Sequence, residues 1–160
     1  MDSVTIDQTH PLWGAFLASQ RLASDQTAPK VMDPAALYAI ALPLLYPTDG
    51  PLGSDVERLV VIALDRKHRV IDAVALTQGN GSFCIVDPAQ CLRWALTRDR
   101  PVAAWALAHN HPSGDPTPSH QDREVTQRAA TAGRAVGLPL IDHVVVVPGG
   151  YTSLAEQGCV

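Results

Sequence analysis

The chain has 160 residues, of which 46% are hydrophobic and 18% are charged. A chain of this length can bury one hydrophobic core but is too short for two ordinary domains, and its composition excludes disorder along most of its length. Its net charge of −4 and its scattered Lys and Arg residues exclude the basic stripe that typically contacts phosphates, so charge does not support DNA as a partner.

The cysteines and the apolar stretches indicate where in the cell the protein is expected to be. The three cysteines form no CxxC pair, which argues against a disulfide framework or a cysteine zinc ribbon and favours a reducing environment. No apolar stretch is long enough for a membrane span, and residues 1–7 lack the start of a signal peptide. We therefore expect a cytoplasmic protein that does not associate with membranes. The oligomeric state is left open.

The chain is predicted to consist of an N-terminal arm, residues 1–32, and one main domain, residues 33–160. In the arm, the spacing of apolar residues predicts a short helix over residues 11–23, and a polar linker follows over residues 24–30. The arm is therefore expected to be an addition to the main domain.

The main domain opens with a helix signal. Asp33 is a good N-cap, and Pro34 suits the first helical turn. Pro43 is expected to kink this helix or to end it early, because proline lacks the amide hydrogen. Residues 48–54 are rich in glycine and proline and are predicted to form a loop.

Three short strands are then predicted. Residues 59–64 are continuously apolar and rich in β-branched side chains, which is typical of a strand buried on both faces. A turn over residues 65–68, a strand over 69–77 and a strand over 82–86 follow. Together they suggest an antiparallel meander.

The next elements alternate between helix and strand. Asp87 and Pro88 repeat the cap signal and predict a helix to about residue 98. A buried strand is predicted over residues 102–108. The segment 110–118 contains three prolines and one glycine, which predicts a stiff, ordered loop.

A long helix over residues 119–136 and strands over 141–147 and 151–154 complete the chain. Strands that first pair with one another, with helices inserted between them, indicate an α/β sandwich with a mixed β-sheet.

The stiff loop begins with two histidines at alternate positions, His109 and His111. Alternate residues of an extended chain point the same way, so these two imidazoles can converge on one point. Asp122 lies one turn into the following helix and can supply a third ligand. Two imidazoles and one carboxylate suit zinc, because catalytic zinc sites usually take three ligands from the protein.

A hydrolytic site also needs a base for water, and Glu57 is our candidate because it precedes the first buried strand. Asp55 is the rival, and a charge at this place can equally be a solvated flank of the strand. Ser119 can donate its hydroxyl hydrogen to an oxyanion. Ser119 and Asp122 also have the spacing of a helix capping box, which a zinc-binding Asp122 could satisfy only in part.

The complete pattern resembles the signature of the JAMM, or MPN-plus, metalloproteases. That signature has an upstream glutamate and then HxH, seven residues, Ser, two residues and Asp, and every spacing is met here. More narrowly, HNHPSGDPTPS over residues 109–119 and IDHV over residues 141–144 resemble the RadC branch. The resemblance extends from about residue 33 to residue 154.

This resemblance implies a cytidine-deaminase-like sandwich, a zinc ion bound by His109, His111 and Asp122, Glu57 as general acid and base, and Ser119 as oxyanion donor. It also implies hydrolysis of a peptide or isopeptide bond in a peptide or protein substrate, with a ubiquitin-like tail as one candidate.

An alternative is a DNA-repair-associated accessory protein that binds partners and keeps zinc for structure or regulation. Residues 1–32 show no helix-hairpin-helix motif of the kind that precedes this domain in long RadC-like chains, which weakens a DNA-binding role. Asn110 replaces the Ser or Thr usual in eukaryotic deubiquitinases.

Other interpretations of the histidines are less favoured. The contiguous His109-Asn110-His111 is unlike HNH nucleases, which distribute those residues over a hairpin and a helix. The Pro-Cys-x-x-Cys segment of zinc nucleoside deaminases does not occur in this sequence. His143, in a predicted buried strand, is interpreted as a hydrogen-bonded core residue or as a partner of a ligand.

Overall fold

The computed structural model describes residues 28–46, 56–76 and 87–160. Within these residues, three helices and five strands form an α/β sandwich with one open mixed sheet, which confirms the predicted fold class. The described elements, in chain order, are α1 (Pro34–Leu45), β1 (Leu59–Leu64), β2 (Val70–Leu76), α2 (Pro88–Leu96), β3 (Ala104–Asn110), α3 (His120–Ala135), β4 (Leu140–Val147) and β5 (Gly150–Ser153).

The sheet has the strand order β2-β1-β3-β4-β5. Strands β3 and β4 are parallel, whereas the other three neighbouring pairs are antiparallel. In the β1–β3 pair, Leu59 lies opposite His109. The beginning of β1 therefore lies beside the end of β3, at the edge of the sheet where the histidines lie.

Both faces of the sheet are covered, which gives the sandwich three layers. Val60, Ile62 and Leu64 of β1 pack in the core that includes α1, while Leu59 and Val61 pack in the core that includes α2 and α3. Because alternate residues of a strand point to opposite faces, a strand between two cores must be apolar throughout. This explains the uninterrupted apolar run over residues 59–64.

The helix caps are confirmed, but the effect of Pro43 is not. The carboxylate of Asp33 accepts a hydrogen bond from the Ala36 amide, and that of Asp87 accepts one from the Ala89 amide. Helix α1 does not end early, because it continues through Pro43 to Leu45. Pro43 lies in the last turn, where the helix has few bonds left to lose, and the Tyr46 amide still bonds to Leu42.

Some boundaries differ from the predicted ones by one or two residues. Strand β3 begins and ends two residues later than predicted, so His109 lies inside the strand. The reason is pairing on both sides, since His109 pairs with Leu59 and Asn110 pairs with Val146. Helix α2 ends at Leu96 rather than near residue 98.

Several predictions lie outside the described residues. They are the helix over residues 11–23, most of the linker, the loop over residues 48–54 and the strand over residues 82–86. Among the helices that the structure describes, none combines the length and the apolar character that a membrane crossing requires.

The contact between α3 and β3 generates a prediction about Gly133. A Cβ atom at this position would overlap the Leu138 carbonyl oxygen and would lie 2.9 Å from the indole nitrogen of Trp105. That nitrogen donates a hydrogen bond to the same carbonyl at 3.0 Å. We expect Gly133→Ala to lower the free energy of unfolding by about 1–3 kcal/mol, measured by urea denaturation. Thr131→Ala, at an exposed position of α3, is the control, and equal stability of the two variants would contradict the prediction.

Candidate metal centre

The two histidines converge as predicted. His109 is the penultimate residue of β3 and is 1% exposed, while His111 follows the strand and is partly buried. Their Nε2 atoms lie 3.0 Å apart. Two ring nitrogens therefore point at the same small volume next to the end of the strand.

Asp122 completes this group from the first turn of α3. Its Oδ1 lies 3.3 Å from Nε2 of His109, and its Oδ2 lies 3.4 Å from Nε2 of His111. The chain between β3 and α3 brings the helix back over the end of the strand, as the stiff loop predicted. The structure thus places the three predicted ligands together.

The loop orients the His111 ring. Nδ1 of His111 lies 2.8 Å from the carbonyl oxygen of Asp115. A carbonyl oxygen can only accept, so Nδ1 carries the hydrogen, and in the neutral ring Nε2 keeps a free electron pair. Gly114, at φ +78°, provides the left-handed turn that lets the loop fold back. The loop therefore turns Nε2 of His111 towards His109 and Asp122.

Glu57 lies close to the three predicted ligands. It lies two residues before β1, and the antiparallel pairing of β1 with β3, continued by the backbone bond from Asn110 to Arg58, brings it to the end of the sheet where His109 and His111 lie. Glu57, His109, His111 and Asp122 each offer a ligand atom, and these four atoms lie within 4.8 Å of one another. The rival acid, Asp55, lies outside the described residues.

Asn110 holds the chain on both sides of Glu57. Its Oδ1 accepts a hydrogen bond from the Arg58 amide at 2.6 Å, and its Nδ2 donates one to the Val56 carbonyl at 3.0 Å. The sequence did not predict this contact of Asn110. The available signal was strand alternation, which turns residue 110 away from the two histidine side chains.

Ser119 is the N-cap of α3, and the predicted capping box is present. Its Oγ accepts from the Asp122 amide at 3.1 Å and donates to Oδ2 of Asp122 at 2.6 Å, and its own amide donates to the same oxygen at 2.7 Å. The cap therefore occupies Oδ2, while Oδ1 faces His109. Oδ2 is therefore shared between the cap and His111, whereas Oδ1, near His109, takes no part in the cap.

Two further side chains lie behind His109. Nε2 of His143, on β4, is 2.8 Å from Nδ1 of His109, and Nδ1 of His143 is 2.6 Å from the hydroxyl oxygen of Thr126. Both residues are fully buried. His143 was interpreted as a core residue or as a partner of a ligand, and the structure places it in contact with His109.

Burial and hydrogen bonding shift three pKa values in this group. Burial by itself would raise the pKa of Asp122, but its close contacts with His109 and His111 hold it well below its ordinary value. The hydrogen bond with Asp122 raises the pKa of His111 above 6.5, against a smaller opposing effect of burial. Complete burial lowers the pKa of His143 well below 6.5, so its ring is neutral.

The donor set suits a divalent metal. Two neutral imidazole nitrogens and carboxylate oxygens are the ligands that zinc takes in catalytic sites. Of the four side chains, His109, His111 and Asp122 lie in mutual contact. These three residues could hold a zinc ion, with Glu57 beside it.

Comparison with known proteins matches most of the chain to one family. The sequence profile described as RadC-like JAB domain matches residues 33–159. A UPF0758 protein of Symbiobacterium thermophilum is 46% identical over 103 residues, which are 64% of this chain and 43% of that protein. A UPF0758 protein of Thermotoga maritima is 41% identical over 102 residues, which are 64% of this chain and 45% of that protein.

A UPF0758 protein of Methanococcoides burtonii is 37% identical over 115 residues, which are 72% of this chain and 48% of that protein. The chain spans less than half the length of these curated relatives. Their names state no activity.

The Asn110 contacts generate a prediction about stability. Asn110→Ala leaves the buried Arg58 amide without its side-chain acceptor, so we expect the free energy of unfolding to fall by about 1–3 kcal/mol. Gln127→Ala, which removes an exposed amide from α3, is the matched control and should change little. Denaturant unfolding of both variants measures the difference. Equal stability would show that Asn110 does not hold the chain around Glu57.

Proposed function

This chain belongs to the RadC-like JAB domain family, and on that basis we propose that it is a zinc-dependent metallohydrolase that cleaves a peptide or isopeptide bond. One observation carries the proposal. The ligand atoms of Glu57, His109, His111 and Asp122 lie within 4.8 Å of one another, in an arrangement that provides both a metal site and an adjacent carboxylate.

His109, His111 and Asp122 are proposed to hold the zinc. Three protein ligands are the usual number in catalytic zinc sites, which keep a further position open to solvent or substrate. When bound, zinc lowers the pKa of water and polarises a carbonyl oxygen. The negative charge of Asp122 partly offsets the charge of the cation, and the two neutral rings add none.

Glu57 is proposed to move the proton. Its carboxylate takes a proton from water as the water oxygen forms a bond to the carbonyl carbon of the substrate. The carbon–nitrogen bond then breaks, and Glu57 returns the proton to the leaving amine. Asn110 assists by holding the backbone on both sides of Glu57.

Ser119 is proposed to stabilise the oxyanion that forms on the substrate. In the structure its hydroxyl hydrogen is directed to Oδ2 of Asp122. Donation to an oxyanion therefore requires this hydrogen to turn away from Asp122, while the Ser119 oxygen can continue to accept from the Asp122 amide. The cap and the oxyanion contact use different sides of one hydroxyl group.

The substrate is proposed to be a peptide or protein, with a ubiquitin-like tail as one candidate. Two outcomes separate this proposal from the alternative that zinc serves structure or regulation in a binding protein. Turnover of a peptide or isopeptide substrate by the zinc-loaded protein supports the hydrolase. Stoichiometric zinc without turnover of any such substrate supports the binding protein.

The role of Glu57 predicts a selective loss of activity. We expect Glu57→Gln to retain zinc, measured by elemental analysis, but to lower kcat by roughly 10²–10⁴-fold, because the amide cannot accept the proton. Glu156→Gln makes the same chemical change at an exposed position and should leave kcat unchanged. Identical turnover by wild type and Glu57→Gln would remove Glu57 from the mechanism.

The raised pKa of His111 predicts that zinc affinity increases with pH. Below this pKa a proton competes with zinc for His111, so the dissociation constant should rise by up to about tenfold per pH unit as the solution is acidified. In the metal-free protein, the pH dependence of stability has the opposite sign to that of zinc affinity. There, the protonated His111 paired with Asp122 stabilises the fold below the ordinary histidine pKa, and this contribution is lost as pH rises through the raised pKa.

Chelator-competition titrations with zinc at about pH 6 and about pH 8 measure the first effect, and thermal unfolding without metal measures the second. His120→Gln removes an exposed histidine of α3 and should preserve the pH dependence. Equal dissociation constants at the two pH values would contradict the assignment of His111 as a ligand.

A further inference from the structure

A continuous line of hydrogen bonds runs behind the candidate metal centre and joins two of its ligands. It leads from Nδ1 of His109 to His143, from His143 to the hydroxyl of Thr126, and from Thr126 to the backbone carbonyl of Asp122. The three distances are 2.8, 2.6 and 2.6 Å. His143 and Thr126 are fully buried, so this line lies within the protein core.

The last bond sets the direction of all the others. The Asp122 carbonyl oxygen can only accept, so the Thr126 hydroxyl gives it its single hydrogen. The Thr126 oxygen must then accept from His143, which places a hydrogen on Nδ1 of His143. No other assignment of hydrogens satisfies both contacts of Thr126.

The same reasoning extends to His109. A fully buried imidazole is neutral and carries one ring hydrogen, so a hydrogen on Nδ1 leaves Nε2 of His143 as an acceptor. Its neighbour at 2.8 Å, Nδ1 of His109, must therefore carry a hydrogen. In the neutral His109 ring, Nε2 then keeps its electron pair, and this is the atom that faces His111 and Asp122.

We propose that Thr126 and His143 are positioning residues that hold His109 in the one neutral form able to bind a metal ion through Nε2. This inference rests on the proposed function, since it concerns the same zinc site. Hydrogen bonds to the outer nitrogen of a ligating histidine fix the ring orientation, and their loss typically weakens metal affinity by about 10–100-fold. Because the line ends on the Asp122 backbone, it also ties the first turn of α3 to β3 and β4.

Zinc alone is the probe, and two pairs of variants test the proposal. Thr126→Val has nearly the same volume but lacks the hydroxyl, whereas Thr126→Ser keeps it. His143→Leu removes the acceptor for His109, whereas the amide oxygen of His143→Gln can replace it. We expect the zinc dissociation constant to rise about 10–100-fold in Thr126→Val and His143→Leu and to stay near the wild-type value in Thr126→Ser.

The hydrogen positions provide a readout that a purely structural role would not change. Long-range proton–nitrogen NMR of the zinc-loaded wild type should show the His143 hydrogen on Nδ1. In zinc-loaded Thr126→Val this preference should be lost, while Thr126→Ser should retain it. Rescue of zinc affinity by His143→Gln relative to His143→Leu would support the proposal, and a His143 hydrogen on Nε2 in the wild type would overturn it.

The outcomes also separate this inference from the proposed function. If wild type binds zinc and Thr126→Val binds it equally well, the positioning role is wrong and the hydrolase proposal stands. If wild type binds no zinc, both are wrong. Thermal unfolding of the metal-free variants identifies any that fail to fold. Should His143→Leu be one of them, the Thr126 pair and the NMR measurement decide the question.

Discussion

The antiparallel register between β1 and β3 is the constraint on which the candidate site depends. Leu59 lies opposite His109, so the residue two positions before Leu59 comes to the edge of the sheet where the histidines converge. A shift of one residue would turn every side chain of β1 to the opposite face. Since both faces of β1 are packed in apolar cores, and Asn110 also bonds to the chain on both sides of Glu57, this register is specified by packing and by polar contacts together.

The site combines a fully buried polar environment with a partly exposed one. His109, His143 and Thr126 are buried almost completely, and a buried polar group is costly unless it has a partner. Each of these three residues has a hydrogen-bond partner. Each hydrogen bond from Thr126 through His143 to His109 fixes the direction of the next. On the other side of His109, the side chains of His111 and Asp122 are partly exposed. A fully paired polar interior thus lies directly behind side chains that are partly exposed.

Asp122 belongs both to the helix cap and to the group formed with the two histidines. The sequence raised two uses for it, a helix cap and a metal ligand, which were expected to compete. The structure brings both to the same carboxylate, because Oδ2 accepts the Ser119 bonds and also lies 3.4 Å from Nε2 of His111, while Oδ1 faces His109.

The sequence by itself determined the elements whose signals are local. The apolar run of β1, the Asp-Pro caps and the spacing of His109, His111 and Asp122 act within a few residues of chain, so their consequences could be inferred before the fold was known. Only the tertiary structure decided where β3 ends, that α1 passes Pro43, that Asn110 holds the chain around Glu57 and that His143 reaches His109. These features depend on strands and helices far apart in sequence, and packing and pairing between such elements leave no periodic pattern along the chain.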